Sequence, residues 1–120
     1  MKIAITSSGD TPDSLLETRF GRAPKFIIYD TESDTYYAID NSQNLNAPQG
    51  AGLQSAQKVA REAVEAVITG HCGPKAFQVL KSAGIKVCYS QDRTVKEAIE
   101  AFKSGKLVEA GSPDVEGHWV

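Results

Sequence analysis

The sequence predicts one α/β domain built on a mixed five-stranded sheet. Three observations lead there. Short β-branched runs bounded by turn residues recur along the chain, and the first three follow one another with no helical stretch among them. From residue 53 onward, apolar steps of three and four alternate with such runs. The length of 120 residues suits a single core.

The first strand is Lys2-Ile3-Ala4-Ile5-Thr6, ending at Ser7-Ser8-Gly9-Asp10. Residues 9–24 hold Gly9, Pro12, Gly21 and Pro24 without periodicity. They are expected to form an irregular functional loop, disordered without ligand because few buried contacts would fix it. Phe26–Tyr29 and Thr35–Ile39 make a hairpin joined across Asp30 to Asp34. The amide-rich stretch from Asn41 to Gly52 reads as loop. Leu53, Ala56, Ala60, Ala63 and Val64 then predict a first helix over 53–63.

Ala66–Thr69 is a fourth strand. Pro74 suits the first turn of a second helix, whose buried face carries Phe77 and Leu80 and which Gly84 closes. Ile85–Tyr89 is the fifth strand. Thr94-Val95-Lys96-Glu97 has the capping-box spacing, and a third helix follows it to Gly105. Residues 106–120 form either a packed tail or a flexible arm. The order β-β-β-α-β-α-β-α implies antiparallel pairing first and a parallel, right-handed βαβ unit later.

Composition excludes several function classes. A net charge of −2 offers no broad basic surface for nucleic acid. No apolar run approaches a membrane span, and strand-forming residues begin at Lys2, too early for a cleavable leader, so a cytoplasmic location is expected. The two cysteines, Cys72 and Cys88, are expected as thiols, with no CxxC motif. A metal-dependent nuclease would need clustered carboxylates, and the first strand carries none. The chain is therefore not expected to be an enzyme.

Ligands of such sheets gather beyond the carboxyl ends of parallel strands. Three glycine-bearing turns converge there in this reading: Ser7 to Asp10, Gly50-Ala51-Gly52, and Gly70-His71-Cys72-Gly73-Pro74. Glycine lets the backbone approach a ligand, and helix starts favour negative charge. Arg19 and Arg22, with Lys25, flank Phe20-Gly21 and suit an anionic group. His71 and Cys72 are candidate metal ligands, with Cys72 expected as a thiolate at the start of a helix. Two neighbours cannot close a four-ligand site, so a preassembled cluster fits better than a bare ion. Cys88 reads as a core residue. His118 and Trp119 sit in the tail, where the tryptophan could dock on a partner or on its own core.

Phe20-Gly21-Arg22-Ala23-Pro24, Asn41, Gly50-Ala51-Gly52, Gly73-Pro74-Lys75-Ala76-Phe77 and Ala83-Gly84-Ile85 together resemble the dinitrogenase iron–molybdenum cofactor biosynthesis family, which includes NifX and the C-terminal domain of NifB. The resemblance covers nearly the whole chain. It implies a ribonuclease-H-like fold. It also implies a stand-alone carrier for an iron–sulfur or iron–molybdenum-type cluster, or a related anionic ligand, exchanged with a cluster-assembly protein. Arg19, Phe20, Gly21, Arg22, Asn41, Gly50, Gly52 and Gly73 are the corresponding cofactor-binding positions. Relatives that bind cofactor often carry histidine immediately before the Phe-Gly pair, where this chain has Arg19. Arginine has no lone pair for a metal, so its part would be to hold an anion. The competing expectation is a regulatory or protein-interaction domain without cofactor.

Overall fold

Alternation along the strands sets the layering. Ile3 and Ile5 face one way and Ala4 the other. Ile27 and Tyr29 oppose Phe26 and Ile28, Ile68 opposes Val67, and Cys88 opposes Val87. A sheet apolar on both faces must be covered on both. The computed structural model, which describes residues 1–42 and 50–114, shows how.

The strands are β1 (Lys2–Ser7), β2 (Lys25–Asp30), β3 (Thr35–Asp40), β4 (Ala66–Thr69) and β5 (Lys86–Tyr89), and the helices are α1 (Ala51–Ala60), α2 (Pro74–Ser82) and α3 (Val95–Lys103). They form one sheet ordered β3-β2-β1-β4-β5. β1 pairs antiparallel with β2 and parallel with β4. β3 continues the antiparallel side and β5 the parallel side. Residues of α1 and α2 pack with Ala4, Phe26, Ile28, Val67 and Val87 on one face. Val95, Ala98 and Ile99 of α3 pack with Ile3, Ile5, Ile27 and Ile68 on the other.

Local chemistry explains the boundaries. α1 starts earlier than its apolar spacing suggests, because Gly50 takes the left-handed conformation (φ 78°) as its N-cap. It also ends earlier than predicted, and Ala63 lies at φ 58°, a turn out of the helical path that leads into β4. The capping box on α3 is present: Thr94 Oγ1 accepts from Glu97 N at 3.2 Å, and Glu97 Oε1 accepts from Thr94 N at 3.1 Å.

Two segments differ from expectation or extend it. Residues 9–24 are packed, not loose. Leu16 and Phe20 are buried, Phe20 completely, and its ring lies 5.5 Å from that of Phe26. Backbone bonds tie this loop to three neighbours: Glu17 N to Thr6 O at 3.1 Å, Leu16 N to Arg93 O at 2.9 Å, and Phe20 N to His71 O at 3.0 Å. The expectation of disorder overlooked that a glycine- and proline-punctuated loop can be anchored by two apolar side chains. The tail as far as Asp114 is tied to the sheet by hydrogen bonds, although most of its residues stay exposed. Ala110 N donates to Val87 O at 2.7 Å, covering the edge of β5, and the Tyr89 hydroxyl donates to Ser112 O at 3.0 Å. His118 and Trp119 lie outside the described residues.

At Gly70 the 9–24 loop comes close to the turn after β4. A Cβ there would stand 2.7 Å from Thr18 O and 2.9 Å from Thr18 Cα. Backbone cannot yield as a flexible side chain does. Gly70→Ala should therefore lower unfolding stability by about 1–3 kcal/mol, measured by urea denaturation, and a variant as stable as the parent would show that the loop is not fixed against this turn.

Candidate functional site

The carboxyl ends of β1 and β4 meet the chain where several predicted site residues gather. Thr6 Oγ1 donates to Glu17 O at 2.7 Å and lies 3.1 Å from Thr69 Oγ1, closing the sheet end beneath the loop. Above it, Arg19 pairs with His71 as an isolated parallel bridge. The 3-10 turn Phe20–Arg22 follows at once. α1 packs against this turn and against α2. Its C-terminus leads into β4, so its N-terminus, at Gly50, lies at the same end of the sheet as Gly73, the N-cap of α2.

The predicted residues divide by role. Phe20 is a core anchor, and Gly21 is buried in the turn behind it. Asn41 is a buried brace. Its N–H donates to Pro24 O at 2.8 Å, and its Nδ2 donates to Ala23 O at 2.8 Å and to Ser55 Oγ at 3.0 Å. The end of β3, the Phe20–Pro24 turn and α1 are thereby fixed to one another. Gly52 is buried in the first turn of α1. Arg19 is exposed, and Arg22, His71 and Gly50 are half-buried, whereas Gly52 and Gly73 at the two helix starts are buried.

His71 is about one-third exposed, and its Nδ1 lies 2.8 Å from Asp114 Oδ2. The other carboxylate oxygen of Asp114 accepts from Cys72 N at 2.9 Å, while Asp114 N donates to Cys72 O at 3.2 Å. Asp114 thus grips the turn between β4 and α2 by side chain and backbone. Nothing in the tail's spacing announces it.

Cys72 departs from expectation. Its side chain is fully buried among Phe20, Ala76 and Leu80 of the core, with Sγ 3.6 Å from Gly73 O. Burial, and then the charge of Asp114, push its thiol up to about 12 from an ordinary 9.0. The helix start would lower that value, but desolvation wins. The expected thiolate is a protonated core thiol. Cys88 is likewise buried and shifted upward by desolvation.

Among the described residues, no three His, Cys, Asp or Glu side chains could together hold a metal ion. The donor set does not fit a bare ion. One imidazole beside cationic and backbone donors fits a preformed anionic cluster that needs a single protein ligand. A cleft of about 500 Å³ opens on the α3 face, but none of the residues above line it. Three of its lining groups engage each other: the Tyr29 hydroxyl donates to Asp34 and accepts from Lys103 Nζ at 3.3 Å.

Comparison with known proteins decides the family. The model of the dinitrogenase iron–molybdenum cofactor family matches residues 1–105. This chain belongs to that family. The apo form of the orange protein from Desulfovibrio gigas is 36% identical, overlaps 95% of this chain and 96% of its own, and superposes with a TM-score of 0.92. A candidate NifB protein from Thermotoga, assigned to the DUF35 family, is 40% identical over 97% of this chain and 98% of its own, with a TM-score of 0.84. An uncharacterized protein of Methanocaldococcus jannaschii is 34% identical over 109 residues, or 89% of each chain. Family membership associates this small α/β chain with the cofactor or its assembly. Among the described residues, no helix is long and apolar enough to cross a membrane.

The buried thiols carry a pH dependence. Between pH 9 and 12 folded Cys72 keeps its proton while the unfolded chain releases it, so stability falls as pH rises above about 9. Denaturation at pH 8 and pH 10.5 should show that loss, with a smaller slope in Cys72→Ala. At pH 8 the native protein should react with Ellman's reagent only on the timescale of unfolding, whereas rapid labelling of Cys72 would mean an open thiolate.

Proposed function

We propose that this protein is a non-catalytic, cytoplasmic single-domain carrier for a preassembled iron–sulfur or iron–molybdenum-type cluster, or a related anionic ligand, exchanged with a cluster-assembly protein. The observation that carries the reading is the pairing of Arg19 with His71 at the sheet end shared by the starts of α1 and α2. Backbone N–H groups at helix starts and a guanidinium favour an anion, and an imidazole gives one metal a ligand. We also read the strand order as ribonuclease-H-like.

In this reading His71 ligates, Arg19 and Arg22 offset the cluster's negative charge, and Gly50, Gly52 and Gly73 admit it close to the backbone. Phe20, Gly21 and Asn41 act from behind by holding the turn. Cys72 would be a second donor only if the turn opened and the thiol lost its proton. The cluster itself would supply an open metal coordination position for the imidazole.

Anaerobic reconstitution with ferrous iron and sulfide tests this. Wild type should bind iron stoichiometrically with visible charge-transfer bands. His71→Ala should lose them, Arg19→Ala should hold the cluster more weakly, and Cys72→Ala should retain it. Iron binding in wild type that survives His71→Ala would remove His71 as the donor. No iron in wild type would favour a domain that binds protein partners without cofactor.

A further inference from the structure

We infer that Asp114 is a positioning residue that orients His71 from the far end of the chain and sets which ring nitrogen faces the ligand. The inference rests on the reading of His71 as the cluster's donor. An ionised carboxylate only accepts hydrogen bonds, so at 2.8 Å from Asp114 Oδ2 the Nδ1 atom must carry hydrogen. The lone pair of the neutral ring is then on Nε2. A carboxylate behind an imidazole fixes the tautomer and the ring's orientation, an arrangement common to histidines that bind metals.

Asp114 is built into this place. Its second oxygen holds Cys72 N at 2.9 Å, fixing the main chain beside the ring, and its own N–H holds Cys72 O at 3.2 Å. The tail delivering it is tied down three more times: Ala110 N to Val87 O at 2.7 Å, the Tyr89 hydroxyl to Ser112 O at 3.0 Å, and Lys81 Nζ to Glu109 Oε2 at 2.9 Å. The tail therefore belongs to the site, although it lies past the residues matched by the family model.

The test separates positioning from simple anchoring of the tail. Long-range ¹⁵N–¹H spectra at pH 8 report the tautomer of His71 without any ligand. Wild type should show hydrogen on Nδ1. Asp114→Ala should shift the ring toward the Nε2–H form, and Asp114→Asn, whose amide oxygen can still accept, should keep the wild-type tautomer. After reconstitution with ferrous iron and sulfide, the chelator concentration that strips half the iron should fall about 10–100-fold in Asp114→Ala, with Asp114→Asn between it and wild type. An unchanged tautomer in Asp114→Ala would overturn the inference, as would a changed tautomer with unchanged chelator resistance. His71→Ala retaining the full cluster would instead overturn the donor assignment beneath it, and the ligand-free spectra would still report whether Asp114 sets the tautomer.

Discussion

The placement of β1 is the constraint on which the rest depends. It is hydrogen-bonded to an antiparallel neighbour on one side and a parallel neighbour on the other, and five of its six residues are buried. A strand in that position cannot pass directly into its neighbour β4, because parallel strands need a crossover. The hairpin β2–β3 and helix α1 intervene between them. The carboxyl end of β1 is thereby left beside the carboxyl end of β4, with a long loop between β1 and β2 free to cross both. Thr6 and Thr69 meet there, and Glu17, Phe20 and Gly70 follow from where that loop must lie.

Most of the fold was legible because it rests on local period. Ile3, Ile5, Ile27, Val67 and Val87 announce strands buried on both faces, and Thr94 with Glu97 announces the start of α3. The 9–24 loop was not legible, since its order comes from Leu16 and Phe20 entering cores on opposite faces of the sheet. Proline and glycine report what the chain can do locally; they say nothing about what a nearby phenylalanine will bury against. The first helix was displaced for a related reason, as its N-cap depends on a left-handed Gly50 that precedes any apolar repeat.

The candidate site was legible in part. The glycine turns and Arg19 follow from the general rule that ligands collect where parallel strands end. Asn41 was found by resemblance, and its hydrogen bonds to Pro24 O, Ala23 O and Ser55 Oγ make it a brace for the Phe20–Pro24 turn. Cys72 was misjudged because two effects oppose each other. A helix start stabilises a thiolate through partial charges, while full burial removes water from the whole anion, and the nearby Asp114 adds repulsion. Asp114 itself could not be read, because it acts across 43 residues of sequence from a segment with no period.

The Arg19–His71 bridge bears on a position where this chain departs from the family pattern it resembles. The resemblance puts a histidine where Arg19 stands, and the parallel bridge sets His71 directly beside that position. An imidazole one strand away can serve the same place in space only if its orientation is held, since a ring on a turn otherwise samples several rotamers. The carboxylate of Asp114 supplies that restraint, and the backbone bond from Cys72 N prevents the turn from following the ring. On the proposed reading, Arg19 would offer a cation to an anionic ligand and His71, held by Asp114 from the tail, a nitrogen donor beside it.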